Sequence, residues 1–343
     1  MTMGTMNCSE RTDVLAGSPR TSAAMFAAGV LGNVVALVLL EVRRRKQSAS
    51  LFQLLVTAMV ITDLLGTFSV SPLVITAYAQ NRSLLGMSGT RAVCAHFGFS
   101  MTFFSLVTLA LLLGMAVERW LAIGHPYLYE RRVSMRCGYV LLPVVYLACA
   151  LFCLAPLLDD CFGRYVQYCP GTWCFIDLSS RRPGHIAYKS VYASCLLIMI
   201  ACTVLCNASV SYHLLLMHRR SKANRSSFRR FRGQRSLSIT EEVEHLVLLG
   251  FMTIAFVICS LPLVIRVYMN SSDNAMDLKA MLLLSVNPII DPWVYIILSP
   301  PVPRLLWGMV CKVFRSQSTR EKILNTHTQT ESWSSNPPIE LQK

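Results

Sequence analysis

Charged residues are scarce in this chain of 343 residues, of which 15% are Asp, Glu, Lys or Arg and 54% are hydrophobic. Soluble globular domains carry about a quarter charged residues. Acidic residues are fewer than basic residues, with 18 Asp and Glu against 32 Lys and Arg. The composition therefore excludes a soluble domain of this length and predicts a membrane protein.

Patterns of catalytic residues are also missing. The histidines are scattered over loops and helix ends, and no spacing typical of metal ligands or of a nucleophile with its base occurs. The first 18 residues are polar and lack the apolar core of a cleavable signal peptide. Inverted repeats with paired broken helices, as in transporters, are not found either. We therefore expect neither an enzyme nor a transporter.

Long apolar segments are what the chain does have. Segments of about 20 residues cross a hydrocarbon core of roughly 30 Å, and only a helix satisfies its backbone hydrogen bonds within such a segment. The sequence predicts an all-α membrane protein, a seven-transmembrane helix bundle. The predicted spans cover residues 20–42, 50–78, 91–124, 137–158, 186–218, 240–270 and 276–299.

The basic residues predict the orientation of the bundle. They cluster in alternate connections, at residues 43–46, 131–136, 219–235 and 304–315, and such connections face the cytoplasm. The N-terminus is then extracellular, and the net charge of +14 reflects topology rather than nucleic-acid binding. The glycosylation triplets at Asn7, Asn81 and Asn270 all lie on the predicted outer side.

The loop at residues 167–176 carries a specific signature, Gln-Tyr-Cys-Pro-Gly-Thr-Trp-Cys-Phe-Ile. In sequence and position it resembles the second extracellular loop of the prostanoid receptors, a family of rhodopsin-like G-protein-coupled receptors. Residues 61–67, 101–105 and 124–127 resemble the subgroup that raises cyclic AMP. Residues 166–169 and 289–293 are most similar to prostaglandin E receptors, whereas prostacyclin and prostaglandin D receptors remain alternatives.

The resemblance implies partners and localisation. A prostanoid receptor sits in the plasma membrane, binds a lipid-derived ligand and activates a heterotrimeric G protein, here the stimulatory type. Its tail is a target of receptor kinases and arrestin. We expect an extracellular N-terminus at 1–19, the bundle at 20–299, an amphipathic helix on the membrane surface at 300–314 and a disordered cytoplasmic tail at 315–343.

The resemblance also implies disulfide bonds. Cys94 is expected to pair with Cys174, and Cys8 with Cys169 in a second bridge, which leaves Cys161 as the odd extracellular cysteine. Cys311, beside Lys312, is either palmitoylated or an inert thiol.

Polar residues inside the spans are costly and therefore point to function. By resemblance, Asp63, Asn33 and Asn287 form a polar cluster that holds sodium and water. A second set forms the switch that couples to the G protein, with Pro262 as the kink that lets the sixth span swing. Its other members are Glu118, Arg119, Asp291, Pro292 and Tyr295.

The family's ligand site is expected at Tyr78 and Thr172, beside Trp173, together with an arginine ten residues before the proline of the seventh span. Leu282 stands at that arginine position. Lys279, one turn earlier, either replaces the arginine or turns to water or to Asp277 or Asp273. The chain therefore has either a rebuilt site for an acid prostanoid, or a preference for a neutral lipid, or constitutive activity.

Ser285 is also assigned to the ligand site. It occupies the position at which a retinal protein needs its Schiff-base lysine. The sequence therefore excludes a retinal photoreceptor or pump.

Overall fold

The structure is a computed structural model that describes residues 10–14, 17–46, 50–88, 90–223, 232–269 and 274–298. The described part is a helix bundle with one two-stranded hairpin. Its helices are α1 (Pro19–Lys46), α2 (Leu51–Gln80), α3 (Ala92–Gly124), α4 (Pro126–Arg132), α5 (Met135–Leu158), α6 (Pro183–Ala223), α7 (Arg232–Met269), α8 (Asn274–Leu284) and α9 (Asn287–Leu298). The strands are β1 (Tyr165–Tyr168) and β2 (Trp173–Ile176).

Seven segments of the described chain are long and apolar enough to cross a membrane. They correspond to α1, α2, α3, α5, α6, α7 and to α8 and α9 together. The predicted seven-transmembrane fold is confirmed. The short helix α4 was not predicted, because its sequence carries no apolar face that distinguishes it from a loop.

The distribution of side chains fits a lipid environment. Large apolar residues point outward, for example Leu31, Leu151 and Ile254 at 57%, 62% and 58% exposure, while Asn33, Asp63 and other polar groups are fully buried. In water this arrangement leaves a large apolar surface exposed, whereas in lipid it does not.

Local sequence sets the ends of α2. The Ser50 hydroxyl accepts a hydrogen bond from the backbone N–H of Gln53 at 3.2 Å and so caps the N-terminus. Asn81 ends the helix in the left-handed conformation, with φ of 52°, and its backbone N–H donates to the Ala77 carbonyl. Asparagine tolerates this conformation better than most residues do.

The seventh span is broken between α8 and α9. Pro288 has no amide hydrogen, so it cannot donate to the carbonyl one turn earlier. The Ser285 hydroxyl donates to the Leu282 carbonyl at 2.7 Å, and α9 begins at Asn287. The sequence predicted one continuous helix here, and the break brings Ser285 and Asn287 to the wall of an internal cleft.

The loop between α5 and α6 folds back over the bundle as a hairpin. β1 and β2 pair antiparallel, with Tyr168 opposite Trp173. Gly171, at φ of 103°, makes the turn that other residues adopt with strain. The Gln167 side chain accepts from the Leu85 amide and donates to the Arg11 carbonyl, which ties the hairpin to neighbouring loops.

Some predicted features fall on residues outside the described ranges. These are Asn7, Cys8, Asn270, Asp273, Cys311, the helix at 300–314 and the tail at 315–343.

Candidate ligand-binding and coupling sites

A cleft opens inside the bundle, beneath the hairpin. It encloses about 840 Å³, its open mouth included, and is formed by α1, α2, α3, β2, α7 and the break between α8 and α9. Its apolar wall consists mainly of Met25, Val70, Val74, Met101, Phe104, Trp173, Phe256, Leu284 and Ile289. The mostly apolar lining, with a few polar groups, suits a lipid-derived small molecule.

The polar part of the cleft is neutral. Of the described residues that line it, none is charged, whereas seven carry a hydroxyl, namely Ser22, Thr67, Ser71, Ser100, Ser105, Thr108 and Ser285. Asn287 supplies the one side-chain amide among these lining residues, and it is 3% exposed.

Tyr78 and Thr172 meet above the cleft. Thr172 donates its hydroxyl hydrogen to the Tyr78 hydroxyl at 3.2 Å. Tyr78 lies one helical turn beyond the lining residue Val74, and Thr172 directly precedes Trp173 in β2. The structure thus brings together three of the predicted ligand-site residues, Tyr78, Thr172 and Trp173.

Leu282 and Lys279 are not among the residues that line the cleft. Leu282 is half-buried and lies about one helical turn before the lining residue Ser285. Lys279 is exposed. Asp277, one of its two expected partners, instead forms a buried ion pair with Arg266 of α7 at 2.7 Å.

The sequence reasoning missed two cations near the hairpin end of the bundle. Arg266 is 8% exposed and belongs to the pair with Asp277. Lys189 of α6 is 2% exposed, and its ammonium donates to the carbonyls of Leu178 and Ser180 at 2.5 and 3.4 Å. Both residues lie inside predicted spans, where a basic residue is costly, and this could have identified them from the sequence.

The predicted polar cluster is assembled in the middle of the bundle. Asn33 donates to the carbonyls of Gly29 and Pro288, which joins α1 to the start of α9. The Asp63 carboxylate accepts from Thr108 at 2.9 Å. Asn287 and Asp291 are buried nearby on α9, at 3% and 2% exposure.

At the end of α3 opposite the Cys94 bridge, Arg119 links two helices. It forms a two-bond pair with Glu118, at 2.5 and 2.7 Å, and a further pair with Glu242 of α7 at 2.6 Å. Its guanidinium also lies 5.2 Å from the centre of the Phe52 ring. The pair with Glu242 was not predicted, although Glu241 and Glu242 open the sixth predicted span.

Helix α4 contributes a further contact to this cluster. The Tyr129 hydroxyl donates to Glu118 at 2.6 Å. Burial, with the hydrogen bond to Glu118 second, raises the pKa of Tyr129 above its ordinary value, so the phenol stays a protonated donor. Trp120, which follows Arg119 in α3, donates its indole hydrogen to Ser209 at 3.2 Å.

The expected bridge between Cys94 and Cys174 is present and joins the top of α3 to β2. Cys169 is also disulfide-bonded, whereas its expected partner Cys8 lies outside the described residues. Cys161 has a free, exposed thiol, as expected of the odd cysteine. The hydrogen bond to Asp159, followed by the charge of that carboxylate, raises the pKa of the Cys161 thiol.

Comparison with known proteins agrees with this architecture. Residues 32–295 match the protein family described as 7 transmembrane receptor (rhodopsin family). The chain is 49% identical over 316 residues to the human (Homo sapiens) prostaglandin E2 receptor EP2 subtype, with 86% of each chain covered. The corresponding mouse (Mus musculus) receptor is 46% identical over 346 residues, covering 94% of this chain and 93% of the receptor.

A receptor named for another ligand follows closely. The human prostacyclin receptor is 44% identical over 299 residues, covering 85% of this chain and 76% of that receptor. Because the family match and these identities extend over most of the chain, it is a multi-pass membrane protein and not an enzyme. The chain belongs to the prostanoid receptor family of rhodopsin-like, seven-transmembrane, G-protein-coupled receptors.

Proposed function

We propose that this protein is a plasma-membrane receptor for a lipid with the prostaglandin E carbon skeleton, and that it activates the stimulatory G protein to raise cyclic AMP. The observation that carries the proposal is the 49% identity to the human prostaglandin E2 receptor EP2 subtype, against 44% for the human prostacyclin receptor. Prostacyclin and prostaglandin D are the rival ligands.

The cleft supports a lipid ligand. A fatty acid derivative needs a long apolar wall with a few polar groups that fix its orientation, and the cleft offers both. The hairpin covers it and is anchored to α3 by the bridge from Cys174 to Cys94. Tyr78, Thr172, Trp173, Leu282 and Ser285 are the residues we assign to ligand binding.

The same features support an extracellular N-terminus. Disulfide bonds form in oxidising surroundings, and the bridge from Cys94 lies at the end of α3 opposite Arg119. The basic connections follow the other ends of the helices, as cytoplasmic connections do.

The Arg119 cluster supports a coupling role at the inner face. Its ion pair with Glu242 holds α7 against α3. A ligand that favours the open arrangement releases this pair, and α7 swings about Pro262 to admit a helix of the G protein. The switch also includes Asp291, Pro292 and Tyr295 of α9, and arrestin and receptor kinases act later on the tail.

The buried oxygens of the polar cluster are compatible with sodium. One side-chain oxygen of Asp63 and the side-chain oxygen of Asn33 have no hydrogen-bond partner among the described residues. Such oxygens are ligands that a hard cation prefers. Sodium binding stays a prediction.

Cyclic AMP in cells that display this chain tests the proposal. Compounds with the prostaglandin E, prostaglandin D and prostacyclin skeletons are each applied as the free acid and as a neutral derivative, with mock-transfected cells as the control. The proposal expects a rise with the prostaglandin E skeleton at the lowest dose. A larger response to another skeleton, or a high signal that no compound changes, contradicts it.

A further inference from the structure

The wall of the cleft offers no positive charge to a carboxylate. All the described residues that line it are neutral. Burying a carboxylate without a counter-charge is strongly unfavourable, since hydrogen bonds from neutral groups only partly replace its hydration. The cleft therefore selects against a ligand that enters as an anion.

Most hydroxyl hydrogens in the cleft are already committed to protein acceptors. Thr67 donates to the Asp63 carbonyl and Ser285 to the Leu282 carbonyl, both at 2.7 Å. Ser105 donates to the Thr102 carbonyl, and Thr108 donates to the Asp63 carboxylate. A hydroxyl that donates in this way presents its oxygen lone pairs to the cavity. Lone pairs attract a ligand that donates hydrogen bonds and repel a carboxylate.

Asn287 adds an unsatisfied amide to the wall of the cleft. Its side chain is 3% exposed, and its nitrogen and oxygen both lack a partner among the described residues. An amide supplies both a donor and an acceptor. A neutral hydroxyl or amide on the ligand satisfies both, because it donates and accepts in the same way.

The buried cations above the cleft are engaged elsewhere. Arg266 pairs with Asp277 at 2.7 Å, and the Lys189 ammonium donates to two backbone carbonyls of the loop that follows β2. Moving Arg266 to a ligand would leave Asp277 buried at 1% exposure without its charge partner. Lys279 is exposed to solvent.

From these four observations we propose that the receptor recognises an uncharged prostanoid whose head group donates hydrogen bonds, such as a C1 alcohol or a hydroxyalkyl amide, in preference to the free acid. This inference rests on the proposed function and specifies the chemical class of its ligand.

The test uses membranes from cells that express the full chain, mixed with purified stimulatory G protein, and measures ligand-stimulated nucleotide exchange. The probes are prostaglandin E2, its analogue with the C1 carboxyl reduced to a primary alcohol, and its N-(2-hydroxyethyl) amide. The alcohol has no acyl bond at C1, so hydrolysis cannot convert it to the acid during the assay, and a response to the alcohol belongs to the neutral compound. Membranes from mock-transfected cells give the background.

The inference expects the alcohol and the amide to act at concentrations at least about tenfold below that of the acid. Equal potencies, or a more potent acid, overturn the inference and leave the proposed function standing. If all three probes fail on membranes that carry surface-verified receptor, the proposed function falls together with the inference.

Discussion

The hydroxyl of Thr172 donates a hydrogen bond to the hydroxyl of Tyr78 at 3.2 Å. This contact joins the loop hairpin to α2 directly above the cleft, and Thr172 is fully buried. Since the contact uses the threonine hydrogen, it leaves the tyrosine hydrogen available to a hydrogen-bond acceptor on a ligand. The pair therefore both closes the cleft and offers it a neutral donor.

Replacing Tyr78 by Phe removes that donor and the acceptor for Thr172. A hydrogen bond between neutral groups is worth about 0.5 to 1.5 kcal/mol, so we expect the potency of the preferred agonist to fall roughly 2-fold to 12-fold. The measurement is cyclic AMP dose-response at matched surface expression. Tyr127→Phe, at an exposed tyrosine of helix α4, is the control. Unchanged potency in Tyr78→Phe would remove the pair from the ligand site.

Replacing Glu242 by Gln breaks the ion pair that joins α7 to Arg119. Glu242 is 28% exposed in its side chain, so a contribution near 1 kcal/mol is reasonable. We expect ligand-independent cyclic AMP to rise about 5-fold, because the open arrangement is no longer opposed by the pair.

Glu244→Gln, on the same helix two residues further along, provides the matched control, because no ion pair is recorded for it among the described residues. A basal signal that rises equally in both variants, or in neither, would contradict the assignment of Glu242 as part of the switch.

The pair between Arg266 and Asp277 is a stability feature rather than a ligand contact. Both side chains are nearly inaccessible, at 8% and 2% exposure, and removing one partner of such a pair costs about 3 to 5 kcal/mol. We expect Asp277→Asn and Arg266→Gln each to lower the melting temperature of the detergent-solubilised receptor. The charge-swapped double variant, Arg266→Asp with Asp277→Arg, is expected to recover part of the loss. A double variant that melts no higher than either single variant would refute the pair as the cause.

Cys161 tests the topology through its thiol chemistry. Its raised pKa means that less thiolate is present at neutral pH, so alkylation is slow and accelerates as pH rises. Asp159→Asn removes the carboxylate that raises the pKa, and the rate profile is therefore expected to shift to lower pH.

Labelling of intact cells with a membrane-impermeant maleimide makes this measurement, with Cys161→Ser as the blank. Labelling that requires permeabilised cells would place the loop on the cytoplasmic side and invert the proposed orientation.

The sequence predicted the membrane-spanning helices, because each of them is determined by the length and composition of its own segment. Each span in lipid must satisfy its own backbone hydrogen bonds, so the length and composition of each apolar segment were sufficient to identify it. The resemblance of the loop at residues 167–176 supplied the bridge from Cys94 to Cys174.

Contacts between distant segments were not predictable in the same way. The pairs of Arg266 with Asp277 and of Arg119 with Glu242 depend on how the helices pack, and several carboxylates are plausible partners for each arginine. The break at Ser285 was missed because Pro288 within an apolar run also fits a kinked but continuous helix. Apart from Ser285, the serines on the cleft wall were missed because a small polar residue in a span gives no indication of which way it faces.

The direct test of this account is the effect of Leu282→Arg on the order of potency of the acid and neutral forms of prostaglandin E2. An arginine one turn above Ser285 supplies the charge that the cleft lacks, and a charged pair of this kind is worth about 2 to 5 kcal/mol. We predict that the native receptor prefers the C1 alcohol, whereas Leu282→Arg gains at least about 30-fold in potency for the acid and reverses the order. Leu282→Gln, polar but uncharged, is expected to keep the native order. A native receptor that responds best to the acid, with no further gain from Leu282→Arg, would contradict the account.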